Sequence, residues 1–171
     1  MQGLRDGSEL EMILNRQKKV PLAEQPLAEF LGRILREVKF ADAEVSIAFV
    51  SDAEIAKWNW NYRNKKGPTD VLSFPALSKR RAERHTKRNS RVDRSNGKSG
   101  VQSGGFLGDI AIAPETARRY AKKNGRTVDN EIRILMLHGI LHLMGYDHES
   151  RSDYGQMNRI EQKLRRRLGL A

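Results

Sequence analysis

The chain has 171 residues, 38% of them hydrophobic and 31% charged, with no cysteine and a formal net charge of +11 at pH 7. That length allows one domain with a real core, and the missing cysteines exclude disulfides and thiolate metal sites. No apolar run reaches the ~18 residues that a membrane-spanning helix requires.

The first stretch, MQGLRDGSELEMILNRQKKV, lacks the apolar core of a signal peptide, so a soluble, cytoplasmic protein is expected. Its strong positive charge favours a polyanionic partner, nucleic acid above all. The bland alternative is basicity serving solubility alone.

In chain order, Leu10 to Gln17 reads as a first strand. Over 24–38, Leu27, Phe30, Leu31, Ile34, Leu35 and Val38 fall at helical spacing. EVSIAFV (44–50) alternates with a β-branched bias and predicts a strand. Ser51 and Glu54 form a capping box that opens the helix DAEIAKWNWNYR. Gly67-Pro68 then breaks the chain before DVLSF, a short strand ending at Pro75.

Residues 78–104 carry nine Lys or Arg against two acids, which is +7 of the +11. Val92 and Val101 are their only large aliphatics. Such a stretch cannot bury enough apolar area to order itself. It predicts a long, mobile, basic loop inserted between two strands, serving either as an RNA-contacting arm or as a solvated insert.

Beyond it, FLGDIAIA (106–113) is the clearest strand, and Pro114 suits the first turn of a helix reaching about 124. Thr127 caps a helix running to about Met144 that is apolar nearly all round from Ile134 onward, and so is expected to be central and buried. Ser150 and Asp153 make another capping box before the last helix, whose KLRRRLGLA end places cations where the dipole favours them. The expected architecture is one α/β (α+β) domain over 1–171. It has a small mixed sheet of about four strands, with helices packed on it and the histidine helix at its centre.

Three of the four histidines, His138, His142 and His148, stand in HGILHLMGYDH. His138 and His142 are one helical turn apart on a single face. Gly145 lets the backbone leave the helix in a left-handed turn, so His148 can approach the same ion. Three neutral imidazoles with an open fourth position describe a catalytic zinc-type site. A lone histidine on an apolar helix is usually a hydrogen-bonded core residue, but a third one after a glycine turn favours a metal. His85 lies in the basic insert and is not expected to be a ligand. The His-x3-His-x5-His spacing, with glycine three residues after the second histidine, matches the metzincin protease pattern. Gly139, however, occupies the position of those enzymes' general-base glutamate. The usual protease mechanism is therefore disfavoured, while the metal cage is kept.

HGILHLMGYDH, NWNYRNKKGPTDVLSFP (59–75) and LGDIAI (107–112) are three separated motifs in one order. With them the chain resembles the YbeY-type endoribonucleases, a family of rRNA maturation factors; the likeness spans roughly 40–150 and departs from the family's shorter strand connection at 78–104. The resemblance implies an α/β domain, one divalent metal ion (Zn2+) on His138, His142 and His148, and metal-dependent cleavage of single-stranded RNA. It also implies action on ribosomal RNA, at the 3′ end of the small-subunit RNA, and on defective ribosomes, with no membrane or DNA partner. Arg63 occupies the family's functionally important arginine position.

This chemistry is physically compatible. RNA supplies its own 2′-hydroxyl nucleophile, or a water activated by the metal attacks phosphorus, and a water pKa lowered to about 7 reduces the need for a carboxylate base. An arginine fork matches the charge gathering on phosphate oxygens, whereas the alternative for Arg63 is a surface arginine at a helix end. Asp147 either orients an imidazole or caps the turn. Thr69, Asp70 and Asp109 are expected in structural turn chemistry. Two competing functions stand beside the RNase reading: a zinc-dependent hydrolase of another substrate such as a peptide, and a non-catalytic RNA-binding assembly factor with a structural metal. Three protein ligands instead of four argue against the last.

Overall fold

The computed structural model of the chain describes residues 13–76, 105–146 and 151–170. Four strands, β1 (Ile13–Asn15), β2 (Glu44–Phe49), β3 (Val71–Pro75) and β4 (Phe106–Ile112), form one mixed sheet in the order β1-β2-β4-β3. β1 and β4 run parallel to β2, and β3 closes one edge antiparallel to β4. Among the described residues the helices are α1 (Glu24–Glu37), α2 (Asp52–Arg63), α3 (Pro114–Lys123), α4 (Val128–Leu143) and α5 (Arg151–Leu168).

Sequence-local signals set most element ends. Ser51 accepts a hydrogen bond from the Glu54 amide at 3.2 Å and starts α2; Thr127 does the same for the Asn130 amide at 3.1 Å and starts α4. The reciprocal half of the Ser51 box is diverted, because the Glu54 carboxylate pairs with Arg16 at 2.9 Å. Pro114 occupies the first turn of α3, where its missing N–H costs nothing. The predicted strand at 10–17 is observed as Ile13–Asn15, and its first residues lie outside the described ones.

Side-chain alternation gives the sheet two different faces. Val45, Ile47 and Phe49 of β2 join Ile110 and Ile112 of β4 in the main core, against α1, α4 and α5. On the opposite face Val50, Leu72, Ala111 and Ala113 make a smaller cluster with Ile55 of α2. α4 is the central element of the main core. Its residues Ile134, Leu135, Met136, Leu137, Ile140, Leu141 and Leu143 are all buried, as the all-round apolar pattern predicts. The edge strand β3 is thus packed by α2 on one face and by α4 on the other.

Candidate metal centre

The glycines of two motifs are explained by close approach. A Cβ on Gly139 would stand 2.9 Å from Cδ1 and 3.0 Å from Cγ2 of Ile110, so α4 lies directly on β4 at that point. Any side chain there, a glutamate included, would have to displace the Ile110 side chain. Gly108 in β4 has φ +143°, and a Cβ on it would fall 2.3 Å from the Phe74 carbonyl oxygen of the neighbouring strand. Gly139 thus takes the Ile110 side chain against the backbone of α4, and Gly108 takes the Leu143 side chain against the backbone of β4.

The histidines flank Gly139 on α4, His138 just before it and His142 three residues on. His138 and His142 are each half-buried, with their Nε2 atoms 3.1 Å apart and their rings inclined at 73°. Two imidazole nitrogens bound tetrahedrally to one zinc at ~2.0–2.1 Å stand about 3.3 Å apart. The donor set and its spacing therefore fit a divalent ion, needing a shift of only tenths of an ångström. Behind His142 the helix ends at Met144, and Gly145, at φ +94°, turns the chain back. Its amide donates to the His142 carbonyl at 2.9 Å, and the Tyr146 amide to the Leu141 carbonyl at 3.1 Å. Burial raises the Tyr146 phenol above its ordinary pKa. His148 and Asp147 follow at once, outside the described residues, as do His85 and the whole of 78–104. Among the described residues no cluster of three or more His, Cys, Asp or Glu converges on one point.

The other nitrogen of His138, Nδ1, lies 2.9 Å from Oε2 of Glu161 on α5. Glu161 is only 7% exposed, and its second oxygen accepts from the Arg165 guanidinium one turn on. Burial alone would raise this carboxyl's pKa, but the His138 hydrogen bond and the neighbouring Arg165 hold it below the usual carboxylate range. Neither Glu161 nor Arg165 was expected from the sequence. Their signal was available: Glu161 shares a helical face with Met157, Leu164 and Leu168, all buried, so an acid stands in an apolar stripe.

Arg63 is exposed at the last position of α2, on the same helical face as Ile55 and Asn59, the buried residues of that helix. The surrounding segment is firmly pinned. Asn59 is buried and donates from Nδ2 to the Gly67 carbonyl at 3.0 Å, Asn64 adopts the left-handed conformation that stops the helix, and the Tyr62 ring meets Phe74 edge-on at 5.0 Å. Thr69 and Asp70 perform the expected turn chemistry, with Asp70 Oδ1 accepting from Thr69 Oγ1 at 3.2 Å and from the Val71 amide at 2.9 Å. Asp109 does not. It stands exposed within β4, opposite Ser46 and Phe74, because the strand continues unbroken through that position.

The structure is thus an α/β scaffold that presents a pair of histidines from a buried central helix. Comparison with known proteins makes this specific: residues 12–169 match the family model of endoribonuclease YbeY. An endoribonuclease YbeY of Koribacter versatilis is 37% identical over 93% of this chain and 86% of its own length. One of Geobacter metallireducens is 33% identical over 90% of this chain and 89% of its own, and one of Nitrobacter hamburgensis is 40% identical over 75% of this chain and 60% of its own. The solution structure of TM1509 from Thermotoga maritima aligns over 90% of this chain and 87% of that one, at 26% identity and a TM-score of 0.49. The chain belongs to the endoribonuclease YbeY family, a class of RNA-cleaving hydrolases.

Proposed function

We propose that the chain, as one domain, is a metal-dependent endoribonuclease specific for single strands, which holds Zn2+ on His138, His142 and His148 and uses Arg63 on the scissile phosphate. The observation that carries the proposal is the 3.1 Å approach of the His138 and His142 Nε2 atoms on a helix where a glutamate at Gly139 would displace the Ile110 side chain. A divalent ion supplies Lewis acidity toward a phosphoryl oxygen and lowers the pKa of water. The chain's own residues do the rest. The three imidazoles would hold the ion, and a face of α4 buried apart from its histidines keeps the site one-sided. The guanidinium of Arg63 would meet negative charge developing on a non-bridging oxygen. Substrates proposed for it are ribosomal RNA, in particular the 3′ end of the small-subunit RNA, and the RNA of defective ribosomes, in the cytoplasm. The basic stretch 78–104 adds long-range attraction for such a polyanion.

The test is cleavage of matched single-stranded RNA, duplex RNA and peptide by Zn2+-loaded wild type and His142→Ala. Single-stranded RNA is cut by the wild type only. Peptide cleavage without RNA cleavage would support the other hydrolase reading, and RNA binding with no cleavage would support an assembly factor.

A further inference from the structure

Glu161 spends both of its oxygens inward. Oε2 faces Nδ1 of His138 at 2.9 Å, and Oε1 faces the Arg165 guanidinium. An ordinary i,i+4 ion pair on a helix surface lies in water and contributes little, but this carboxylate is 7% exposed. Arg165 is committed to it at a cost, since its Nε is buried without a hydrogen-bond partner among the described residues. A pair buried in this way, with one oxygen reserved for a ring nitrogen, is built around that ring.

The consequence is a proton assignment. With Oε1 accepting from Arg165, Oε2 is placed to accept from Nδ1 of His138, which leaves Nε2 as the ring's lone-pair nitrogen. That bare nitrogen is the one aimed at Nε2 of His142, 3.1 Å away. We propose that Glu161, backed by Arg165, is a positioning residue that locks His138 in its Nδ1–H tautomer and ring orientation, so that Nε2 is presented to a divalent cation. The inference deepens the metal reading above and rests on it. It also gives helix α5 a task in the site: α4 carries His138 and His142, and α5 orients His138.

The experiment reads tautomer and affinity separately. Ring 15N–1H spectra of metal-free wild type, Glu161→Gln and Glu161→Ala report which nitrogen of His138 is protonated. Competition titrations with Zn2+, and the visible spectrum of the Co2+ form, report the site, with melting temperatures and circular dichroism as controls on folding. Expected are the Nδ1–H form in wild type, its loss in Glu161→Ala, and Zn2+ affinity weakened about 10–100-fold in Glu161→Ala, less in Glu161→Gln, which keeps a neutral acceptor. In a His138→Ala background the Glu161→Gln change has no further effect on Zn2+ affinity. A wild type with His138 in the Nε2–H form, or a folded Glu161→Ala protein that binds Zn2+ as the wild type does, overturns the proposal. A wild type that binds no Zn2+ overturns the metal reading itself, and the tautomer measurement still decides the role of Glu161.

Discussion

Gly139 rests on Ile110, with Cδ1 of the isoleucine 2.9 Å from where a Cβ on the glycine would stand. This contact explains how a histidine pattern of protease type can be kept while the protease glutamate is lost. Ile110 is fully buried on β4, between β2 and β3, so a shift of its side chain disturbs the packed core. Gly139→Ala should therefore destabilise the protein by about 1–3 kcal/mol through overpacking, despite a gain of about 1 kcal/mol in helix propensity. Ile110→Val removes the nearest methyl and should recover part of the loss. Urea unfolding of both single variants and the double variant measures this. Strictly additive effects would show that the two residues do not compete for the same space.

The histidines are expected to act as one site. Replacing His138, His142 or His148 by Ala should each sharply lower Zn2+ content from one ion per chain, measured by elemental analysis after dialysis, while His85→Ala leaves it unchanged. Full retention of Zn2+ in the His148 variant would remove that residue from the ligand set.

Arg63 should matter for rate more than for stability, because it is exposed and ends its helix. Loss of one transition-state donor costs about 10²–10³ in rate, and Arg63→Lys should recover only part, as a point charge in place of a planar fork. Single-turnover cleavage of single-stranded RNA by both variants, with their melting temperatures alongside, decides it. An Arg63→Ala enzyme as fast as wild type would free the residue from the mechanism.

Asn59 is expected to hold Arg63's surroundings in place. Its Nδ2 bond to Gly67 at 3.0 Å ties the end of α2 to the turn that enters β3. Asn59→Ala should cost about 0.5–1.5 kcal/mol and slow RNA cleavage beyond what that destabilisation accounts for at a temperature where the variant is folded. A variant that loses stability but keeps full rate would make this bond purely structural.

Much of this was legible in the sequence because its causes are local. The starts of α2 and α4 follow from Ser51 and Thr127, whose hydroxyls satisfy amides three residues on. His138 and His142 meet because helical geometry alone brings positions four apart together. What escaped notice depends on distant partners. Glu54 leaves its capping box for Arg16 on the segment after β1, and Glu161 becomes meaningful only when α5 packs beside α4 and brings it to His138, 23 positions away in sequence. Asp109 misled because aspartate favours turns, yet on an exposed position of β4 its preference is overridden by pairing on both sides. Gly139 could be seen to lack a glutamate, but the isoleucine that one would displace lies on a strand nearly thirty residues earlier.

The basic stretch offers a test that is independent of the metal. Deleting residues 80–102 should leave the melting temperature and Zn2+ content in place but weaken RNA binding, and it should flatten the dependence of log K on log salt, since fewer counterions are released. Equal slopes for the two proteins would mark the stretch as a bystander.

The central claim is that RNA is cut at one metal site built on His138, His142 and His148. It is tested most directly by titrating Zn2+ into metal-stripped protein while following cleavage of a single-stranded RNA. The account predicts no cleavage at the start and a linear rise that breaks at one ion per chain, with no rise in His142→Ala at the same concentrations. Cleavage by the stripped wild type that Zn2+ leaves unchanged, or an equal rise in His142→Ala, would contradict it.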